Sequence, residues 1–178
     1  MGKQYDAIPV ELNDFIQQQK IFFVATAGKE GRVNLSPKGM DSLRIVDEHT
    51  VHWLNVTGSG NETAAHVLEN QRMTIMFCAF EGAPMILRLY GNASMVQPND
   101  SDWNTLIQDF PVLPGARQIF TLNVDLVQTS CGMGVPFFDY REEREQLNRW
   151  AEKKGEQGIK QYWAEKNALS LDSKTTGI

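Results

Sequence analysis

Apolar and polar positions change their period several times along the chain, and each change marks an element boundary. Pro9 followed by Leu12, Phe15 and Ile16 predicts a short leading helix, with the proline suited to a first turn. Residues 20–27 are dense in Phe, Ile and Val. Gly28-Lys29-Glu30-Gly31 then makes a turn, and 32–36 runs extended again. The pair predicts a hairpin whose ladder Pro37 ends for want of an N–H. A second pair is expected at 43–46 and 50–55, around the polar Asp47-Glu48-His49. Thr57-Gly58-Ser59-Gly60-Asn61 is a Gly-rich loop feeding a helix over 62–70, with Asn61 as N-cap and Ala64, Val67 and Leu68 at helical spacing. Residues 72–80 and 84–97 form the longest extended pair, in which Met85, Leu87 and Leu89 share one face and Ile86, Arg88 and Tyr90 the other. Ser101 is placed to cap a short helix carrying Trp103, Leu106, Ile107 and Phe110, closed by Pro111 and Pro114. Over 117–131, Phe120, Leu122, Val124 and Leu126 alternate with polar residues as in a half-buried strand. From 140 to 166 the chain reads as charged helix, interrupted at Gly155 and Gly158 and anchored by Leu147, Trp150, Ile159, Tyr162 and Trp163; the tail from 170 to 178 is expected to be loose.

Six or seven strands joined by short turns predict a mainly β (α+β) antiparallel barrel with short flanking helices and a helical C-terminal extension over 139–168. No repeat or linker divides the chain, so one domain, 1–178, with its core at about 18–131, is expected. With 178 residues, 42% apolar and 22% charged, it can bury a core unaided. A net charge of -5 argues against general attraction to nucleic acid or an anionic membrane. The apolar run 21–27 is too short to span a bilayer, and the first six residues lack the basic start of a signal peptide. Cys78 and Cys131 make neither a disulfide framework nor a metal-ligand spacing, which points to reduced thiols in a cytoplasmic protein.

The candidate chemistry is concentrated in a few segments. In 57–63, glycines let backbone approach a ligand, hydroxyls and the Asn61 amide donate, and a helix start favours an anion; a capped turn is the plainer reading. Neither a Walker loop nor a Gly-x-Gly-x-x-Gly spacing is present. Arg88, inside an apolar strand, needs a ligand anion, an acidic neighbour or a route to the rim. Ser36-Pro37-Lys38-Gly39 offers a hydroxyl, a cation and flexible backbone at a strand end, suited to a flat ring, a phosphate or simply a solvated turn. Cys131-Gly132-Met133-Gly134 is a second Gly-rich turn, and Cys131 has no His or Cys nearby in sequence to mark it as a nucleophile. His49, His52 and His66 show no metal-binding spacing, so no metal site is expected.

Taken together, Gly31-Arg32-Val33-Asn34-Leu35-Ser36-Pro37-Lys38-Gly39, Thr57-Gly58-Ser59-Gly60-Asn61-Glu62-Thr63, Leu68-Glu69-Asn70 and Ile86-Leu87-Arg88-Leu89-Tyr90-Gly91 resemble the pyridoxamine 5'-phosphate oxidase family over roughly 18–130. The resemblance implies a split β-barrel homodimer with FMN at the subunit interface. Carried over by position, Ser36, Pro37, Lys38 and Gly39 would lie along the flavin. Thr57 would stand at its ring and ribityl side, the loop with Gly58, Ser59, Gly60, Asn61 and Thr63 would hold its phosphate together with basic strand residues, and Arg88 would fall in a strand beside the cofactor. The chain departs from the pattern where Glu62-Thr63 replaces the oxidases' phosphate-binding Arg-Lys pair, and where their Trp and Arg pattern is missing after Cys131. The reading that follows is an FMN-dependent oxidoreductase acting by hydride transfer on an unassigned small molecule, with oxidation of the pyridoxamine phosphate itself not carried over. A non-catalytic flavin or haem binder on the same barrel, or use of a deazaflavin, remains open; haem would need His49, His52 or His66 as axial ligand.

Overall fold

The predicted hairpins assemble into one antiparallel sheet, described for residues 2–178 in a computed structural model. Its strands are β1 (Gln4–Tyr5), β2 (Phe22–Thr26), β3 (Asn34–Lys38), β4 (Leu43–Ile45), β5 (Thr50–Val56), β6 (Arg72–Cys78), β7 (Ile86–Val96) and β8 (Ala116–Ser130). Helices α1 (Val10–Gln18), α2 (Glu62–Glu69), α3 (Trp103–Leu106) and α4 (Gln146–Tyr162) flank it. The hydrogen-bonded order is β3-β2-β6-β7-β8-β5-β4, with β1 added to β8. β3 and β4 are consecutive in the chain yet stand at opposite ends of that path, so the sheet curls into a half-barrel whose two edges do not pair.

The inner face carries the alternate apolar residues: Phe22 and Val24 from β2, Trp53 from β5, Ile75 and Phe77 from β6, Leu87 and Leu89 from β7, and Phe120 and Leu122 from β8. Leu12 and Ile16 of α1 join this core. Trp53 stacks on Phe120 with ring centroids 4.9 Å apart. Burying one such side chain contributes about 1.5–3 kcal/mol, so the alternation also sets the register.

Several local expectations are corrected. Pro37 does not end the β2–β3 ladder but pairs with Phe23, because β3 is an edge strand where a missing N–H is tolerated. Asn61 stands at the start of α2 without a capping bond, since its side chain is engaged elsewhere, and Asp102 rather than Ser101 precedes α3. In β8 an extra residue, Asp125, sits opposite the Tyr90/Gly91 step, so Val127 and not Leu126 turns inward. Residues 139–145 are not helical. Within α4 the break falls at Gly155 (φ 64), while Gly158 stays helical.

The C-terminal tail is pinned, contrary to expectation. After α4 a π-helical turn, Trp163–Asn167, leads into a loop closed by the Leu169–Thr175 bridge. Asp172 pairs with Arg32 and Lys174 with Glu69, and the buried Thr176 donates to the Asn167 carbonyl at 2.6 Å. No helix among the described residues is long and apolar enough to cross a membrane.

Candidate functional site

Register decides which predicted site residues share a face. Asn34, Ser36 and Lys38 oppose Thr26, Val24 and Phe22, so their side chains lie on the inner side of the sheet. The Lys38 ammonium stands over the Trp53 ring, 5.0 Å from its centroid. Asn34 Nδ2 donates to Ser36 Oγ and to Thr63 Oγ1, both at 3.2 Å, which ties the first residue of β3 to the start of α2. Pro37, by contrast, belongs to the outer row, in which successive partners are Phe23, Met76, Arg88 and Gln128. Arg88 donates to Ser130 Oγ at 3.1 Å, and among the described residues no carboxylate pairs with it. Lys38 and Arg88 therefore lie on opposite faces of one sheet, and a single copy of the chain does not bring them to one ligand.

The Gly-rich loop sits on the inner side, and its side chains are largely committed. Thr57 is buried; its hydroxyl donates to the Gly115 carbonyl at 2.7 Å and accepts from Trp163 Nε1 at 2.7 Å. Asn61 donates to the Asn167 carbonyl and accepts from Gln118 Nε2, each at 3.2 Å. The Gly58 and Ser59 carbonyls accept from Asn167 Nδ2 at 3.2 and 3.4 Å, and that of Gly60 from Arg117 Nη2 at 3.1 Å. The Glu62 carboxylate takes the Leu171 N–H at 3.0 Å. A Cβ added at Gly58 would meet nothing within 4 Å, so open space borders the loop there, whereas one at Gly39 would stand 3.2 Å from the Lys20 carbonyl.

Arg117, the second residue of β8, was not among the expected site residues. It is 3% exposed, and among the described residues every acceptor it has is neutral: Gln118 Oε1 at 2.9 Å from Nε, Asn167 Oδ1 at 2.6 Å from Nη1 and the Gly60 carbonyl. Burial lowers its pKa to about 10. Burial, and then the charge of Arg117, lower that of Lys38 to about 8. Two neighbouring cations held without a carboxylate are costly unless an anion joins them. Its sequence signal is the one that marks Arg88, a charge in an apolar strand, but at the first residue of the strand expected over 117–131 it reads as a boundary.

Other polar groups contribute less. Trp53 Nε1 and His52 Nδ1 are buried with no hydrogen-bond partner among the described residues. His66 Nδ1 lies 3.0 Å from Thr26 Oγ1 inside the core, and His49 Nδ1 lies 3.3 Å from the Val124 carbonyl. No group of three His, Cys, Asp or Glu among the described residues is placed to hold a metal ion. Cys78 is buried, which raises its thiol pKa, and Cys131 is exposed.

Known proteins share both sequence and fold with this chain. The family profile described as pyridoxamine 5'-phosphate oxidase matches residues 8–131. The pyridoxamine 5'-phosphate oxidase family protein ustO of Aspergillus flavus is 39% identical over 140 residues. That match takes in 76% of this chain and 56% of ustO, so the chain spans little more than half that relative's length. Among solved structures, HupZ of Group A Streptococcus superposes with a TM-score of 0.53 at 22% identity, covering 67% of this chain and 91% of that one. An FAD-binding protein of Mesorhizobium loti superposes with a TM-score of 0.51 at 10% identity, covering 72% of this chain and 97% of that one. At such identities the two structures speak for the fold, whereas the profile and the curated relative place the chain itself: it belongs to the pyridoxamine 5'-phosphate oxidase family.

Proposed function

We propose that the protein binds FMN between two copies of the chain and acts as an oxidoreductase on a small molecule. The observation that carries this reading is the buried Arg117 with the half-buried Lys38 near it, and no carboxylate among their partners in the described residues. A phosphate or an electron-rich ring edge supplies the missing negative charge. Open space at Gly58, the orphaned Trp53 Nε1 and the polar row Asn34-Ser36-Lys38 fit a flat, polar-edged ligand beside them. Ser36, Lys38 and Gly39 would flank the ring, with the Pro37 side chain turned to the outer row, and Thr57, Gly58, Ser59, Gly60, Asn61 and Thr63 would line the ribityl and phosphate side. Arg88 would come from the second copy, since it faces away from the first copy's site. In this reading Arg117 takes over the charge of the family's Arg-Lys pair, which Glu62-Thr63 does not supply. Bound FMN supplies a ring able to accept or give a hydride; the chain's residues bind it, orient it and set the charge around it. Free Cys78 and Cys131 suit a reducing cytoplasm.

Lys38 gives the test a pH signature. Its pKa is lowered to about 8. The ammonium is charged near pH 7 and largely lost near pH 9, and an anion beside it pulls a proton back on. FMN binding should therefore take up protons and weaken as pH rises through about 8. Without ligand the sign reverses: between about 8 and the ordinary value of 10.5 the unfolded chain holds the proton that the folded one has lost, so stability rises with pH there. Flavin-fluorescence titrations near pH 7 and pH 9 check both the cofactor and the direction. No quenching at either pH contradicts FMN binding, and equal affinity at both removes Lys38 from the site.

A further inference from the structure

Asn167 is the most connected polar residue around the Gly-rich loop. It is fully buried at the end of the π-helical turn. Its Oδ1 accepts from Arg117 Nη1 at 2.6 Å, and its Nδ2 donates to the carbonyls of Gly58 and Ser59. Its own carbonyl accepts from Asn61 Nδ2 and from Thr176 Oγ1, which fastens it to both the loop and the tail. Trp163, one helical step earlier, donates to Thr57, so one side of this turn holds the loop at two points. A buried guanidinium would ordinarily be met by a carboxylate, whose fork matches it and whose charge cancels it. Here the partner is an amide. It has an acceptor for Arg117 and donors for the loop, and it adds no charge.

We infer that Asn167 is a positioning residue of the cofactor site: its amide locks the Arg117 guanidinium against the 58–60 carbonyls while leaving the positive charge uncancelled for the ligand's anionic group. The inference rests on the FMN reading above and goes beyond it by giving the C-terminal segment, outside the 8–131 family match, a part in the site.

Asn167→Asp keeps the shape and adds the charge, so FMN and riboflavin, which differ by the phosphate, separate the possibilities. Titrated into the full chain, FMN should bind Asn167→Asp at least about tenfold more weakly than wild type, while riboflavin affinity changes by less than about threefold. Asn167→Ala, which removes the side chain without adding charge, should keep more of the preference for FMN over riboflavin than Asn167→Asp. It also serves should the aspartate variant fail to fold: a preference for FMN unchanged from wild type in Asn167→Ala, with the fold intact by circular dichroism, overturns the inference. If Asn167→Asp weakens both flavins alike, Asn167 is structural only and the FMN reading stands. A wild-type protein that binds neither flavin overturns both.

Discussion

Replacing Gly91 with alanine is expected to lower the stability of the protein by about 3 kcal/mol or more. Gly91 opposes Val124 at the bulge between β7 and β8, where a Cβ would stand 1.9 Å from the Asn123 carbonyl oxygen and 2.8 Å from its carbon. The obstacle is backbone, so no rotamer change relieves it and the two longest strands must part. Their inner faces carry Leu87, Leu89, Leu122 and Val127, all fully buried, so the core opens with them. On the outer face the same separation displaces Tyr90 and Arg88, which are tied to Gln128 and Ser130 of β8. Denaturant unfolding followed by circular dichroism measures the loss. Gly134→Ala, whose Cβ would meet nothing within 4 Å, is the control and should stay within about 0.5 kcal/mol of wild type. A Gly91→Ala midpoint equal to wild type would mean that β7 and β8 do not approach this closely.

Arg117→Gln has the largest expected effect on the ligand. Losing a charge-assisted hydrogen bond to a phosphate costs about 1.5–3 kcal/mol, which is tenfold or more in FMN affinity. The fold responds differently. Removing the guanidinium relieves a buried charge that no carboxylate balances, but frees the acceptors on Gln118, Asn167 and Gly60, which a shorter amide satisfies only in part. The two contributions oppose each other, so stability should change by less than the FMN binding energy does. A second readout is Lys38: burial, the larger cause of its lowered pKa, stays, but with the repelling charge gone its pKa rises somewhat above about 8, and the alkaline loss of any remaining FMN binding moves up with it. Calorimetric titration at two pH values measures both. Unchanged FMN affinity in a folded Arg117→Gln protein would show that the missing counter-charge is not the cofactor's.

Much of the sheet is legible in the residue pattern because one face of nearly every strand is buried, and alternation states which residues those are. Phe22 and Val24, Leu87 and Leu89, Phe120 and Leu122 all lie where their spacing puts them. The Asp125 bulge is not legible: Leu126 and Val127 are both apolar, so a change of parity between them leaves no trace in hydropathy. The order of the tail is illegible for a related reason. Its order comes from ion pairs and hydrogen bonds to residues far away in sequence, Arg32, Glu62 and Glu69, which local composition does not reveal. At the candidate site, the resemblance picked out Lys38 and Arg88 as cations, but only the register of four strands shows them facing opposite ways. Arg117 and Asn167 escaped because their roles depend on each other across 50 residues of sequence.

That opposition of faces makes the central claim, one FMN held between two copies of the chain, testable by complementation. Arg88→Ala and Arg117→Gln each damage both sites of a homodimer. In a mixed dimer made by co-expression, one site receives both defects and the other receives neither. The mixed sample should regain tight FMN binding in a fraction of its sites, although neither parent binds tightly. A mixed sample that binds no more tightly than its parents would contradict it, placing Arg88 and Arg117 at the same ligand within one copy or removing one of them from the site.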